Sequence, residues 1–154
     1  WCHFSLPLVA VHDAARPFVE AAAIDACVAA ASKDGAALLA IPARDTLKVS
    51  SDGVRASSTL DRNGVWAAQT PQVFDQKRLR ASLERAARDH FEPTDEAGAW
   101  ERYVGPVALV TGSALNFKIT APEDLELARA LCAQRAVSAA SKTPLPPLGD
   151  RGDA

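Results

Sequence analysis

With 154 residues, 48% of them hydrophobic and 23% charged, the chain is long enough to bury one compact core, and its composition suits an ordinary folded domain. Seventeen Lys and Arg stand against 19 Asp and Glu, a formal charge of -2, so no net basic field draws it to nucleic acid or an anionic membrane. No apolar run approaches the roughly 20 residues of a membrane span, and the first residues lack the pattern of a signal peptide; the chain reads as cytoplasmic.

Residues 8–11, Leu-Val-Ala-Val, form a short apolar run of the kind buried on both faces of a parallel sheet. The chain opens almost directly into this run and contains no methionine, so it reads as a piece of a longer α/β protein. Pro17 followed by Glu20-Ala21-Ala22-Ala23 marks a loop entering a helix that runs to about Ser32 and stops at Gly35. Ala37 to Ile41 is a second buried strand, completing a βαβ unit. From Asp45 the texture alternates polar and apolar, predicting a hairpin of Thr46 to Val49 and Val54 to Leu60 around Asp52-Gly53. A lone two-stranded hairpin is marginal in water, so it needs a surface to lie on, such as a partner subunit.

Gln76 to His90 places Leu79, Leu83, Ala86 and Ala87 at helical spacing, an amphipathic surface helix. A second helix is expected from an N-cap at Thr94, with Asp95 and Glu96 in its first turn, to a stop at Gly105. Val107 to Val110 and Phe117 to Thr120 read as short strands. The last helix opens at Thr120-Ala121-Pro122-Glu123, a capping box, and continues through Leu125, Leu127, Ala128 and Leu131. Residues 139–154 are rich in Pro and Gly and read as a disordered tail behind a domain of residues 1–138. Cys2, Cys27 and Cys132 show no C-x-x-C spacing, and the latter two read as buried thiols.

Ligands of open α/β sheets sit beyond the C-terminal ends of the parallel strands, which is where Asp13 and Arg16 fall. A carboxylate there can hold Mg²⁺ or sugar hydroxyls and an arginine can reach a phosphate. The alternative is that the two merely pair and tighten the loop, and the residues alone leave both readings open. His12 reads as a structural hydrogen-bonding group, since neighbours on a strand point to opposite faces. Thr46, Arg62, Thr70 and Lys118 suit a phosphate or polyol, but by spacing alone they are more simply polar residues of a solvated arm. Asp95 and Glu96 do not share a helix face and are helix N-terminal charges. No G-x-G-x-x-G, P-loop, H-E-x-x-H or G-x-S-x-G motif is present.

Taken together, HDAARPF (12–18), PARDTLK (42–48), LDRNGVWAAQTPQVF (60–74), TDEA (94–97) and NFKITAPEDLELA (116–128) resemble the 2-C-methyl-D-erythritol 4-phosphate cytidylyltransferases over roughly residues 8–135. The resemblance implies a Rossmann-like nucleotidyltransferase sheet, incomplete at its N-terminus, with a protruding β-hairpin dimerisation arm at about residues 44–64. It implies Mg²⁺-dependent transfer of CMP from CTP to 2-C-methyl-D-erythritol 4-phosphate, with release of pyrophosphate, in non-mevalonate isoprenoid synthesis. Asp13 and Arg16 would face the polyol and the metal-bound phosphates, Asp13 serving as a metal ligand. Thr46 and Arg62 would grip the substrate phosphate in the partner's site of a homodimer, Thr70 would contact the polyol, and Lys118 with Arg62 would position the phosphate for attack. The family's glycine-rich nucleotide loop has no counterpart here, so the chain alone is expected to be inactive. Leu115 stands where some members carry an acid. The remaining alternatives are a ribitol-5-phosphate-type cytidylyltransferase and a non-catalytic dimerising fragment.

Overall fold

The computed structural model describes residues 7–141, and the side chains of residues 7–136. These fall into two units, one ending at Phe117 and the other beginning at Lys118.

The first unit is built on a mixed four-stranded sheet ordered β1 (Leu8–Val11), β5 (Trp66–Asp75), β2 (Ala36–Pro42) and β6 (Ala108–Thr111). β5 runs antiparallel to both β1 and β2, and β6 runs parallel to β2. The expected β1–α1–β2 crossover is therefore present, with α1 spanning Ala21–Asp34, but β5 lies between its two strands. β5 escapes pattern reading because Gln69, Thr70, Pro71 and Gln72 interrupt its apolar residues. Leu38 pairs with Gln72 and Ala40 with Ala68, so Gln69, Thr70 and Pro71 oppose Leu39 alone in a bulge. A bulge is where a sheet can hold a proline, since no ladder donor is asked of it there. β1 stands at one end of this order, half-buried instead of enclosed on both faces.

Side-chain alternation along β2 sends Ala36, Leu38 and Ala40 to one face and Ala37 and Leu39 to the other. The first face packs with Phe74 against Leu79 of α2 (Gln76–Arg88) and Ala97 and Trp100 of α3 (Glu96–Tyr103). The second packs with Val73 against Cys27 and Ala31 of α1. Helices on both faces explain why β2 is a continuous apolar run. Gly35 ends α1 with φ 86°, its N–H bonded to Ala31 O at 2.8 Å. A Cβ on Gly35 would come within 2.8 Å of Arg78 Nη1.

The helix starts differ by small steps from expectation. Asp95, one residue beyond Thr94, caps α3 by accepting from Gly98 N at 2.8 Å, and Gln72 holds the same turn by donating to Asp95 Oδ2 and accepting from Ala97 N. On α2 the buried positions are Leu79, Ser82 and Ala86, whereas Leu83 is exposed.

Between β2 and β5 a ribbon of β3 (Lys48–Val49) and β4 (Ser58–Thr59) forms the predicted hairpin, its strands shortened to two residues each. Its tip is organised by Asp52, whose carboxylate accepts from Arg55 N, Val54 N and Ser50 Oγ; these bonds hold it below the usual carboxylate range. Phe117 to Thr120, expected as a strand, has no regular structure, because β6 closes into the Gly112 to Asn116 loop without a returning partner.

The second unit is dominated by α4 (Pro122–Ser141). Asp124 Oδ2 accepts from Thr120 N, Thr120 Oγ1 and Ala121 N, so the acid of the capping motif is Asp124 and not Glu123. The helix continues through residues 139–141, three residues into the expected tail; residues 142–154 and Cys2 lie outside the described residues. Cys27 is buried as expected, but Cys132 is exposed, since the apolar positions of α4 do not gather on one stripe that would enclose it. Among the described residues no helix is long and apolar enough to cross a membrane.

Candidate functional site

β1, β2 and β6 point the same way, so their C-terminal ends and the entry of β5 share one edge of the sheet. Three segments meet there: the loop after β1, the bulge of β5, and the loop after β6. Asp13 N–H donates to Thr70 Oγ1 at 3.0 Å across 57 residues of sequence. Arg16 Nε meets Asp13 Oδ2 at 3.3 Å, and Arg16 Nη1 donates to the Asn116 carbonyl at 2.8 Å. The side chains of Arg16 and Asp13 retain 13% and 33% exposure, so the pair is sheltered but open to a ligand. His12 closes the cluster, with Nδ1 2.9 Å from Thr70 Oγ1 and Nε2 3.2 Å from Arg16 O.

Behind this front lies a polar wall that sequence reasoning did not single out. Gln69 Nε2 donates to Ser113 O at 2.8 Å, and Asn116 Nδ2 donates to Thr70 O at 2.9 Å and to Gln69 Oε1 at 3.4 Å. Gln69, Thr70 and Asn116 are all buried, and Asn116 Oδ1 is a buried acceptor without a partner among the described residues. Gly112 admits this packing: a Cβ there would sit 2.3 Å from Gln69 Oε1. The signal was available in the two glutamines flanking Thr70-Pro71, since buried amides demand fixed partners.

Asp13, Arg16 and Thr70 are therefore brought together, and the pairing of Asp13 with Arg16 is present: it tightens the loop at the front of the cluster. Two of the three Arg16 guanidinium nitrogens, Nε and Nη1, are engaged within the cluster. Thr46 and Arg62 lie in the segment that joins β2 to β5, both exposed. Arg62 Nη1 donates to the Arg44 carbonyl, and Arg44, Arg62, Asn63 and Trp66 line an open cleft of about 480 Å³. Lys118 is exposed at the start of the second unit.

Among the described residues no group of three or more His, Cys, Asp or Glu side chains is placed to hold a metal ion. A Mg²⁺ carried on phosphates would need only one or two protein carboxylates, and Asp13, one-third exposed, is the carboxylate of this cluster that would hold it.

Comparison with known proteins identifies the family. The family model for 2-C-methyl-D-erythritol 4-phosphate cytidylyltransferase matches residues 5–134. The chain is 45% identical over 124 residues to the cytidylyltransferase of that name from Syntrophus aciditrophicus, covering 80% of this chain and 53% of that protein. It is 49% identical over 138 residues to the one from Halorhodospira halophila, covering 88% and 56%. The crystal structure of the Thermus thermophilus protein superposes with a TM-score of 0.77 at 42% identity, covering 84% of this chain and 63% of that one. The Francisella tularensis structure gives 0.75 at 33% identity, covering 79% and 58%. Those neighbours carry the Rossmann-like nucleotidyltransferase fold. The chain spans about half the length of the curated relatives it matches. With matches of this extent in sequence and in three dimensions, the chain belongs to the 2-C-methyl-D-erythritol 4-phosphate cytidylyltransferase family.

Proposed function

We propose that this chain supplies the polyol-phosphate side of a cytidylyltransferase that joins CMP from CTP to 2-C-methyl-D-erythritol 4-phosphate and releases pyrophosphate, an isoprenoid-precursor step carried out in the cytoplasm. The observation that carries the reading is the convergence of Asp13, Arg16 and Thr70 on one strand-end cluster. A phosphate attacking a triphosphate meets strong charge repulsion, so the reaction depends on positioning and neutralisation more than on a proton-transfer group. Arg16 offers directed donors for phosphate, Thr70 suits a hydroxyl, and Asp13 is the carboxylate that would share a triphosphate-borne Mg²⁺. Lys118 is assigned to the substrate phosphate on the strength of its sequence block alone.

Arg62 and Thr46 are assigned to the substrate phosphate of a second copy, reached by the arm. The support is physical: β3 and β4 pair over two residues each, and Val49, Val54 and Leu60 are exposed along them, a surface that a second copy would cover. Titration of the isotope-labelled chain with 2-C-methyl-D-erythritol 4-phosphate tests the reading. Shifts confined to Asp13, Arg16, Thr70 and their neighbours are expected. Preference for ribitol 5-phosphate would move the chain to a related specificity, and no response to either would favour a dimerising module without a substrate.

A further inference from the structure

His12 has no part in the reading above, yet both nitrogens of its ring are engaged. A carbonyl oxygen can only accept, so in the neutral imidazole Nε2 carries the proton and donates it to Arg16 O. The opposite tautomer would set a nitrogen lone pair against that carbonyl. Nδ1 is then a bare acceptor 2.9 Å from Thr70 Oγ1, and the threonine hydroxyl must donate to it. The other neighbour of Thr70 Oγ1 is the Asp13 N–H at 3.0 Å, which takes one oxygen lone pair. Of the three hydrogen-bonding positions of that hydroxyl, one lone pair is left.

We propose that His12 is a positioning residue that fixes the Thr70 hydroxyl as a hydrogen-bond acceptor, so that this point of the site takes a ligand hydroxyl and turns away a phosphate oxygen. The proposal rests on the substrate reading for the identity of the ligand. A polyol O–H has a proton to give to the remaining lone pair, whereas an ionised phosphate oxygen has none and would face acceptor against acceptor. Leaving a buried polar group unmatched separates two ligands by roughly 10- to 100-fold. A polyol phosphate is thereby oriented, its hydroxyls at Thr70 and its phosphate away from it.

Long-range proton–nitrogen correlation of the histidine-labelled chain at about pH 8, above the ordinary imidazole range, reads the tautomer directly. The His12 signals are identified by their loss in His12→Gln. A protonated Nε2 and a bare Nδ1 are expected, with the Nδ1 resonance moving in Thr70→Val and staying in Thr70→Ser. An Nδ1–H tautomer, or an Nδ1 resonance unmoved in a folded Thr70→Val, overturns the proposal; the wild-type spectrum decides by itself should that variant unfold. Because no ligand enters this measurement, its failure is separate from that of the substrate reading. In the second arm, Thr70→Val should weaken 2-C-methyl-D-erythritol 4-phosphate at least tenfold while leaving inorganic phosphate affinity unchanged. A loss shared by both ligands, or none, overturns the discrimination.

Discussion

Arg16 Nη1 donates to the backbone carbonyl of Asn116 at 2.8 Å, joining points 100 residues apart. The same guanidinium holds Asp13 through Nε, so one planar group spans two loops. Lysine carries the charge but cannot make this fork. Arg16→Lys should weaken polyol-phosphate binding by about tenfold or more and lower stability by roughly 1 kcal/mol, a modest figure because Asp13 is partly exposed. Calorimetric titration and urea unfolding measure the two; wild-type values in both would show that the fork contributes nothing.

The polar wall makes a sharper prediction. Asn116 Nδ2 is the donor for Thr70 O inside the sheet edge, and Asn116→Ala leaves that buried carbonyl unpaired. A loss of about 1–3 kcal/mol is expected. Asn116→Asp should cost more at neutral pH, because a carboxylate would face Thr70 O and Gln69 Oε1 with no proton to give. Chemical denaturation of the two variants in parallel gives the order, and equal stabilities would contradict the assigned donor.

Gly35→Ala combines a left-handed backbone with a blocked site. Its φ of 86° costs an L-residue roughly 1–2 kcal/mol, and the new methyl would also displace Arg78 from above the Trp100 ring, where its Cζ lies 4.8 Å from the centroid. A lower thermal midpoint is expected, with Gly35→Asn intermediate because asparagine tolerates this conformation better. A midpoint unchanged in Gly35→Ala would mean that α1 ends otherwise than described.

Much of this scaffold was legible from the chain. Gly35 closing α1, the apolar run of β2 and the amphipathic α2 all follow from local propensity and period. β5 was not, because the residues of this interior strand include Gln69, Thr70, Pro71 and Gln72, whose fitness for a core depends on partners elsewhere. The site shows the same division. Asp13 and Arg16 could be placed at a strand end, but nothing local reveals that Thr70, 57 residues from Asp13, sits against its backbone. The pairing comes from β5 lying beside β1, a fact of topology and not of spacing.

Thiol reactivity should divide the cysteines. Burial pushes the Cys27 thiol up to about 11, whereas Cys132 is exposed. In a Cys2→Ser background, alkylation at about pH 8 should modify Cys132 quickly and Cys27 only on unfolding. The raised value also sets a sign: the unfolded thiol ionises near 9.0 and the folded one near 11, so the folded chain holds a proton that the unfolded chain releases between them. Stability is therefore complete below pH 9 and falls as pH rises through that window, and Cys27→Ala should flatten this part of the curve. A thiol that alkylates as fast as Cys132 would refute the burial.

The start of α4 behaves in the opposite sense. Backbone N–H groups of Thr120 and Ala121 and the Thr120 hydroxyl hold the Asp124 carboxyl below its usual 3.8. A depressed carboxyl stabilises the folded form above the ordinary value and loses that contribution as pH falls through the folded one. The first turn of α4 should therefore remain formed at pH 5 and loosen only below about pH 4, where carboxyls take up protons. Amide resonances of Thr120 and Ala121 followed against pH report this without unfolding the rest of the chain. Asp124→Asn removes the charge while keeping one acceptor oxygen, so it should abolish the acid-range titration of those amides and weaken the turn at every pH. Amides of Thr120 and Ala121 that titrate alike in the wild type and in Asp124→Asn would show that another group closes this helix.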